Sequence, residues 1–167
     1  MSFIGIFTNN KNFDILKAEI VKGINVSNLN IININKQSID NMKNVKFETI
    51  IIDKSLKGLE EYMENIKKIC QGAKYILCNS DENIGDIDFI ENEKIEIITY
   101  GLNQKAFVTI SSIGEENVLV ALQKNLKNID GKLIEVGECN IDLRDNNKLN
   151  ISNILVLYII FTIYRTE

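Results

Sequence analysis

The first hundred residues contain four short apolar runs, which polar or amphipathic segments separate. The runs are residues 3–7, 47–52, 75–78 and 95–99. Strands with apolar side chains on both faces are typical of a parallel sheet that is covered by helices on both sides. Alternation of such strands with helices predicts an α/β fold, a mostly parallel Rossmann-like sheet flanked by helices, with right-handed crossovers.

Two amphipathic segments and one further strand complete this part of the chain. Residues 13–23 carry apolar side chains at helical spacing, and so do residues 55–72, where Gly72 is a plausible C-cap. Residues 29–34 predict a strand between the first helix and a polar stretch. The pattern therefore predicts a doubly wound arrangement up to Gly101.

The pattern changes after Gly101, where strand-like segments follow one another without helices. These segments are residues 107–110, 118–122, 133–136 and 139–143. They predict an antiparallel β extension, and residues 152–164 predict a C-terminal helix that is apolar nearly all round. Such a helix is typical of a core helix, and it also fits burial against a second subunit in a homodimer. We therefore expect a single domain over 1–167, with a parallel α/β part at 1–101 and the extension at 102–167.

The composition excludes several kinds of chemistry. The chain has no histidine, which removes Ser-His-Asp and Cys-His catalytic sites and His-ligated metals. Cys70, Cys78 and Cys139 lack paired metal-ligand spacing, so we expect reduced cysteines in or beside the core. A net charge of −4 without a basic stripe argues against nucleic acid as a partner.

Nothing in the sequence points to a membrane. The N-terminus has no basic region before an apolar run, as a signal peptide would. The apolar stretch at 154–163 is shorter than the roughly 20 residues that span a bilayer. We expect a cytoplasmic protein of bacterial type with no membrane partner.

The N-terminal strand runs into a segment that is close to a phosphate-binding loop. Residues 3–12 give an apolar strand, a polar loop with Lys11 and the start of a helix. Asn10 stands where a glycine would let the backbone approach phosphate, and Asn12 stands where Ser or Thr would bind Mg²⁺. Lys11 would either contact a phosphate at the helix N-terminus or lie in solvent in a polar turn.

Carboxylates follow two strands of the predicted parallel sheet. Asp53 comes after the third strand, and Asp81 and Glu82 come after the fourth, so they should meet at the carboxyl edge. Asp53 would hold a cation or a sugar hydroxyl, or else cap the second helix together with Ser55. Asp81 would join it in a Mg²⁺ site, or belong to an acidic loop that favours a following helix N-terminus.

The remaining candidates lie at the same edge or at the start of the last helix. Tyr100 would stack on a ring, or pack with its hydroxyl in water. Asn150 and Asn153 would contact a base, or only cap the helix. The candidate ligand-binding residues are Asn9, Lys11, Asp53, Ser55, Asn79, Asp81, Tyr100, Gly101, Asn150 and Asn153.

Five stretches, in order, give the chain a resemblance to the central, ATP-binding domain of the Mur ligases. Residues 5–12 (GIFTNNKN) are similar to that family's G-I-T-G-T-N-G-K-T loop, and 49–55 (TIIIDKS) resemble the strand that ends in a Mg²⁺-binding Glu. Residues 79–82 (NSDE) are similar to N-x-D-D, and 98–102 (ITYGL) to T-Y/F-G-L. Residues 150–155 (NISNIL) resemble the N-V-x-N-A-L that opens a helix near the bound adenine.

The resemblance implies a nucleotide with Mg²⁺ as ligand, but the chain departs from the family where the chemistry occurs. Asn10 and Asn12 replace the loop glycine and hydroxyl, and the shorter Asp53 replaces the Glu. The sequence also lacks the family's UDP-sugar and amino-acid domains, so we expect neither ATPase nor ligase activity.

Three function classes are compatible with these residues. The first is a non-catalytic nucleotide-binding or regulatory module with a degenerate phosphate loop. The second is an interaction or homo-oligomeric protein whose pocket is a relic. The third is a Mg²⁺-dependent phosphohydrolase that uses Asp53 and Asp81, which requires the two carboxylates to converge.

Overall fold

The computed structural model describes residues 2–24, 29–82, 87–90, 92–144 and 149–165. Its strands are β1 (Ser2–Phe7), β2 (Leu29–Asn33), β3 (Thr49–Ile52), β4 (Tyr75–Asn79), β5 (Glu96–Tyr100), β6 (Val108–Ile113), β7 (Asn117–Leu122), β8 (Leu126–Lys127), β9 (Leu133–Ile134) and β10 (Gly137–Asp142). Its α-helices are α1 (Asn10–Gly23), α2 (Ile39–Met42), α3 (Met63–Gln71) and α4 (Ile151–Tyr164), and a 3₁₀ turn at Glu60–Tyr62 precedes α3.

Eight of these strands form one sheet in the order β10-β7-β6-β5-β4-β3-β1-β2. Strands β2, β1, β3, β4 and β5 run parallel, whereas β7 is antiparallel to both β6 and β10. Strands β5 and β6 meet at a single pair, Tyr100 with Val108, so the antiparallel extension begins where the parallel sheet ends. Strands β8 and β9 form a small antiparallel sheet. The predicted fold class is confirmed.

Helices cover the parallel strands on both faces, and this explains their continuous apolar sequence. Successive residues of β3 point to opposite sides: Ile51 belongs to the core under α1 and α4, while Ile50 belongs to the core under α2 and α3. Both side chains are fully buried. Burying an isoleucine contributes roughly 1.5–3 kcal/mol, so the strand is stabilised from both sides.

Helix α4 is apolar nearly all round because other parts of the same chain surround it. Nine of its residues are buried. It packs on the sheet and on α1, and the segment that joins β8 to β9 covers its C-terminal end, where the Ile129 N–H donates to the Ile163 carbonyl at 2.9 Å. One chain thus accounts for most of the apolar circumference, while Tyr158 and Phe161 stay partly exposed beside a groove. A homodimer stays a prediction.

The predicted helix at 55–72 is wrong in its first part. Residues 55–59 are not helical, and α3 begins only at Met63 after the 3₁₀ turn. Gly58 has a φ of 83°, in the left-handed region, which interrupts a helix. Ser55 accepts a hydrogen bond from the Lys57 N–H at 3.2 Å in a local turn. Asp53 and Ser55 therefore do not cap a helix.

The extension also differs from its prediction at the last strand. Strand β10 lies at the end of the sheet order, and the predicted alternation holds on it only in part. Ile141 and Leu143 are partly buried against the core while Asn140 and Asp142 are exposed, but Cys139 is exposed as well. Cys139 is therefore not in the core, although it lines a groove together with Leu157 and Tyr158 of α4. Cys70 and Cys78 are buried, and burial raises the pKa of the Cys70 thiol to about 12.

None of the helices in the described ranges is long and apolar enough to cross a bilayer.

Candidate functional site

A cleft of about 520 Å³ opens at the carboxyl edge of the parallel strands. From β1 the chain passes to β2 on one side, whereas β3 lies on the other side of β1, so the sheet has its topological switch point here. Open α/β sheets place their ligands at this position, and the volume is in the range of small-molecule sites. Nine of the ten candidate residues line the cleft, and Ser55 is the exception. Further lining residues include Asn12, Ile15, Lys54, Glu82, Ser152 and Leu155.

The segment that resembles a phosphate loop is an N-cap turn. Strand β1 ends at Phe7 and α1 begins at Asn10, so only two residues join them. The Asn9 side chain caps α1, since its Oδ1 accepts from the Asn12 N–H at 2.9 Å. A turn of this length leaves no backbone to wrap around a phosphate. Lys11 lies in the first turn of α1, exposed at the cleft.

Asp53 lies at the floor of the cleft in a cage of four neutral donors. Its carboxylate is buried, with 2% of the residue exposed. One oxygen, Oδ2, accepts from Thr8 Oγ1 and from Asn12 Nδ2, both at 2.8 Å. The other, Oδ1, accepts from Ser152 Oγ at 2.7 Å and from the Tyr100 hydroxyl at 3.1 Å. The cage joins the end of β1, the starts of α1 and α4, and the end of β5.

This buried carboxylate has no ion-pair partner among the residues that the structure describes. Hydrogen bonds to the charged form and helix N-termini both favour a buried anion. Here Asn12 and Ser152 come from the first turns of two helices, so their partial positive ends lie beside Asp53.

Tyr100 is fixed as a hydrogen-bond donor to this carboxylate. Complete burial, reinforced by the charge of Asp53, raises the pKa of the Tyr100 hydroxyl well above its ordinary value. The phenol therefore stays protonated and donates to Oδ1. The expectation that the Tyr100 hydroxyl lies in water is wrong, because the side chain is fully buried.

A second set of hydrogen bonds joins β4 to the loop after β5. Asn79 donates from Nδ2 to the Asp53 carbonyl at 3.2 Å, and its Oδ1 accepts from the Asp81 N–H at 3.0 Å. The Asp81 carboxylate accepts from the N–H groups of Leu102 at 2.7 Å and Asn103 at 3.3 Å. Asp81 therefore holds the loop, and no group of three metal-ligating side chains occurs in the described part of the chain.

Gly101 is required at the foot of this loop. Its φ is 152°, a conformation that side-chain-bearing residues rarely adopt, and a Cβ there would lie 2.6 Å from Asp81 Oδ2. The glycine thus allows the Asp81 carboxylate to approach the loop backbone.

The start of α4 supplies one buried polar atom that no other described residue contacts by a hydrogen bond. Asn150 is the N-cap, and its Oδ1 accepts from the Asn153 N–H at 2.8 Å. The Asn153 side chain takes no part in capping. It lines the cleft with 1% of the residue exposed, and its Oδ1 has no hydrogen-bond partner among the residues that the structure describes. Leaving such a group unpaired costs about 1–3 kcal/mol, which a ligand donor would recover.

Three members of the cage, namely Thr8, Asn12 and Ser152, were not predicted as site residues from the sequence. One signal for Asn12 was available. It stands four residues before Leu16, which stands four before Ile20, so a polar residue lies on the buried stripe of α1. A polar side chain at such a position needs an internal partner. Thr8 and Ser152 lie near strand and helix ends, where such residues are common, and no local sequence pattern distinguishes them.

No protein-family model matches this chain, and no curated protein matches it closely enough to indicate a relationship. A functional proposal therefore rests on the geometry of the cleft.

Proposed function

We propose that this chain is a non-catalytic ligand-binding module, a degenerate relative of the Mur-ligase central domain, that binds a nucleotide or nucleoside in the cleft. The observation that carries the proposal is the buried Oδ1 of Asn153 in the wall of the cleft, which has no partner in the described part of the chain. A buried acceptor with no partner is rare in folded proteins and calls for a functional explanation.

The start of α4 suits the edge of a nitrogen heterocycle. Asn153 presents an amide, and a side-chain amide can pair with an amino donor next to a ring acceptor, as in adenine. Backbone N–H groups of the first helical turn, at Ile151 and Ser152, have no partner within a helix. Ile15 and Leu155 supply apolar walls for a ring. We therefore assign the base to this end of the cleft.

The start of α1 suits an anionic group. Lys11 lies in its first turn, and Lys54 lines the same cleft from the end of β3. The positive end of the helix and the two lysines favour a phosphate at the mouth.

The arrangement does not favour phosphoryl chemistry. A hydrolase that used Asp53 and Asp81 would need both carboxylates on one metal ion. Their oxygens are instead engaged by separate donors, side chains for Asp53 and the backbone of residues 102 and 103 for Asp81. We therefore place binding ahead of hydrolysis.

Calorimetric titration and thermal shift with adenosine nucleotides and a UDP-sugar test the proposal. A ligand present at a hundred times its dissociation constant stabilises the native state by about 2.7 kcal/mol, a readable rise in Tm. Asn153→Leu should abolish binding without loss of stability, because the substitution removes an unpaired polar group. Lys11→Ala should weaken the binding of phosphorylated ligands, whereas Lys17→Ala, an exposed lysine of α1 outside the cleft, should not.

The proposal is refuted if none of the nucleotides raises the Tm. In that case the cleft is a relic, and the interaction protein becomes the better hypothesis. Binding that survives in Asn153→Leu would keep a ligand site but refute the assigned position of the base.

A further inference from the structure

We infer that the cleft takes its ligand without a divalent metal ion and favours a nucleoside with few phosphates, because protein donors already occupy the carboxylates that would hold the metal. This inference rests on the proposed function and names the ligand class of the same site. It departs from the Mg²⁺–nucleotide pairing that the resemblance implies.

The Asn12–Asp53 hydrogen bond is the first observation. A carboxylate only accepts, so the Asn12 amide must present its Nδ2 hydrogens to Asp53, and Nδ2 also lies 3.2 Å from Thr8 Oγ1. A metal ion at Asp53 would meet these hydrogens in place of oxygen lone pairs. Asn12 is 8% exposed and Asp53 is 2% exposed, so neither can turn out to solvent without opening the core.

The other oxygen of Asp53 is equally engaged. Tyr100 and Ser152 donate to Oδ1, and the Tyr100 side chain is fully buried. Mg²⁺ demands near-octahedral oxygen ligands at about 2.0–2.1 Å. Binding it at Asp53 would break up to four hydrogen bonds. Each oxygen of Asp81 is also engaged, since it accepts a backbone N–H from Leu102 or Asn103.

The formal charge of the cleft determines which class of ligand we expect it to bind. The described lining contains Asp53, Asp81 and Glu82 against Lys11 and Lys54, which leaves a formal charge of −1 when no metal is present. Lys11 and Lys54 can face one phosphate, and each further phosphate brings more negative charge towards a cleft whose carboxylates outnumber its lysines. For a charge about 8 Å away, an effective dielectric between about 80 and about 30 gives a weakening of roughly two- to tenfold for each phosphate beyond the first.

Titration of the wild-type chain with adenosine, AMP, ADP and ATP, each in EDTA and in excess Mg²⁺, tests the ligand class. In EDTA we expect AMP to bind at least as tightly as adenosine, because Lys11 and Lys54 line the cleft, and affinity to fall from AMP to ADP and to ATP. Addition of Mg²⁺ should leave the affinities of adenosine and AMP unchanged. ATP that binds more tightly than AMP only when Mg²⁺ is present would overturn the inference and leave the proposed function intact.

A second experiment, with Mn²⁺ and no nucleotide, tests whether the carboxylates of the cleft bind a metal ion. Mn²⁺ alone is added to wild type, to Asn12→Asp and to the matched control Asn10→Asp, whose side chain is exposed and outside the cage. We expect no bound Mn²⁺ by electron paramagnetic resonance in wild type or control, and bound Mn²⁺ in Asn12→Asp, where two carboxylates adjoin. If that variant does not fold, Asn12→Ser, which removes the amide without adding charge, takes its place.

The outcomes separate the two proposals. Mn²⁺ that binds to wild type and is lost in Asp53→Asn refutes the metal-free cleft whatever the nucleotides do. Failure of all four adenosine compounds to bind refutes the proposed function, and with it the ligand order. In that case a wild-type chain without bound Mn²⁺ still upholds the statement that the carboxylates are closed to metal.

Discussion

Removing the Asp53 carboxylate should destabilise the fold by several kilocalories per mole, although the residue lies at a cleft. Two of its four donors are buried, namely the Tyr100 hydroxyl and the Asn12 amide, while Thr8 and Ser152 are partly exposed. In Asp53→Ala both buried donors lose the carboxylate, and Asn12 keeps only Thr8 Oγ1, at 3.2 Å, as an acceptor. A buried donor that loses its acceptor costs about 1–3 kcal/mol. The partly exposed hydroxyls can turn to water. The expected loss is therefore roughly 2–6 kcal/mol.

One term opposes this loss. Asp53 is a buried charge without an ion-pair partner in the described part of the chain, so its removal also recovers a desolvation penalty. The lower half of the range is therefore the better expectation. Asp53→Asn should lose about half as much stability as Asp53→Ala. The amide keeps one accepting oxygen, but it turns its NH₂ group towards two donors.

Urea unfolding measures the free energy directly, and an unchanged m-value would show that the cleft variants unfold from the same native state. Asp14→Ala, at an exposed aspartate of α1, is the control and should change stability by no more than about 0.5 kcal/mol. Equal stability of Asp53→Ala and wild type would refute the reasoning. The cage would then be incidental to the fold, and the carboxylate would be there for a ligand.

Two further predictions concern the loop after β5 and the alkaline limit of stability. Gly101→Ala should cost roughly 1–3 kcal/mol in urea unfolding, because the new Cβ meets the Asp81 carboxylate in a conformation that favours glycine. Gly72→Ala, with nothing within 4 Å of the new Cβ, is its control, and an equal cost at both sites contradicts the prediction. Burial raises the pKa of Tyr164 to about 12, so its hydroxyl, which lies 2.8 Å from Thr49 Oγ1, stays neutral in the folded state. The stability from this group is full below the ordinary tyrosine pKa of about 10 and is lost as pH rises to about 12, roughly 2–3 kcal/mol in all. In Tyr164→Phe the unfolding free energy should fall less steeply with pH across that window than it does in wild type. An unchanged slope would count against the assignment.

The architecture of the parallel part, and the edge of the sheet that carries the cleft, could be predicted from the sequence alone. Continuous apolar runs such as residues 49–52 can be stable only when both faces of the strand are covered, and the structure buries Ile50 and Ile51 in opposite cores. Side chains after parallel strands must meet at one edge, which is why Asp53, Asn79 and Tyr100 line one cleft. The Asn150 cap could also be predicted from the sequence, because capping depends only on residues within one helical turn.

The contacts that those side chains make depend on the three-dimensional fold. The donors to Asp53 lie 41 to 99 residues away in sequence, so no local pattern shows that its carboxylate is caged instead of open. The exposure of Cys139 likewise follows from the place of β10 at the end of the sheet, which its own alternation does not reveal. Periodicity reports whether a side chain faces a core, since that depends on neighbours along the chain. Which atom it meets there depends on elements that the fold brings together from far apart.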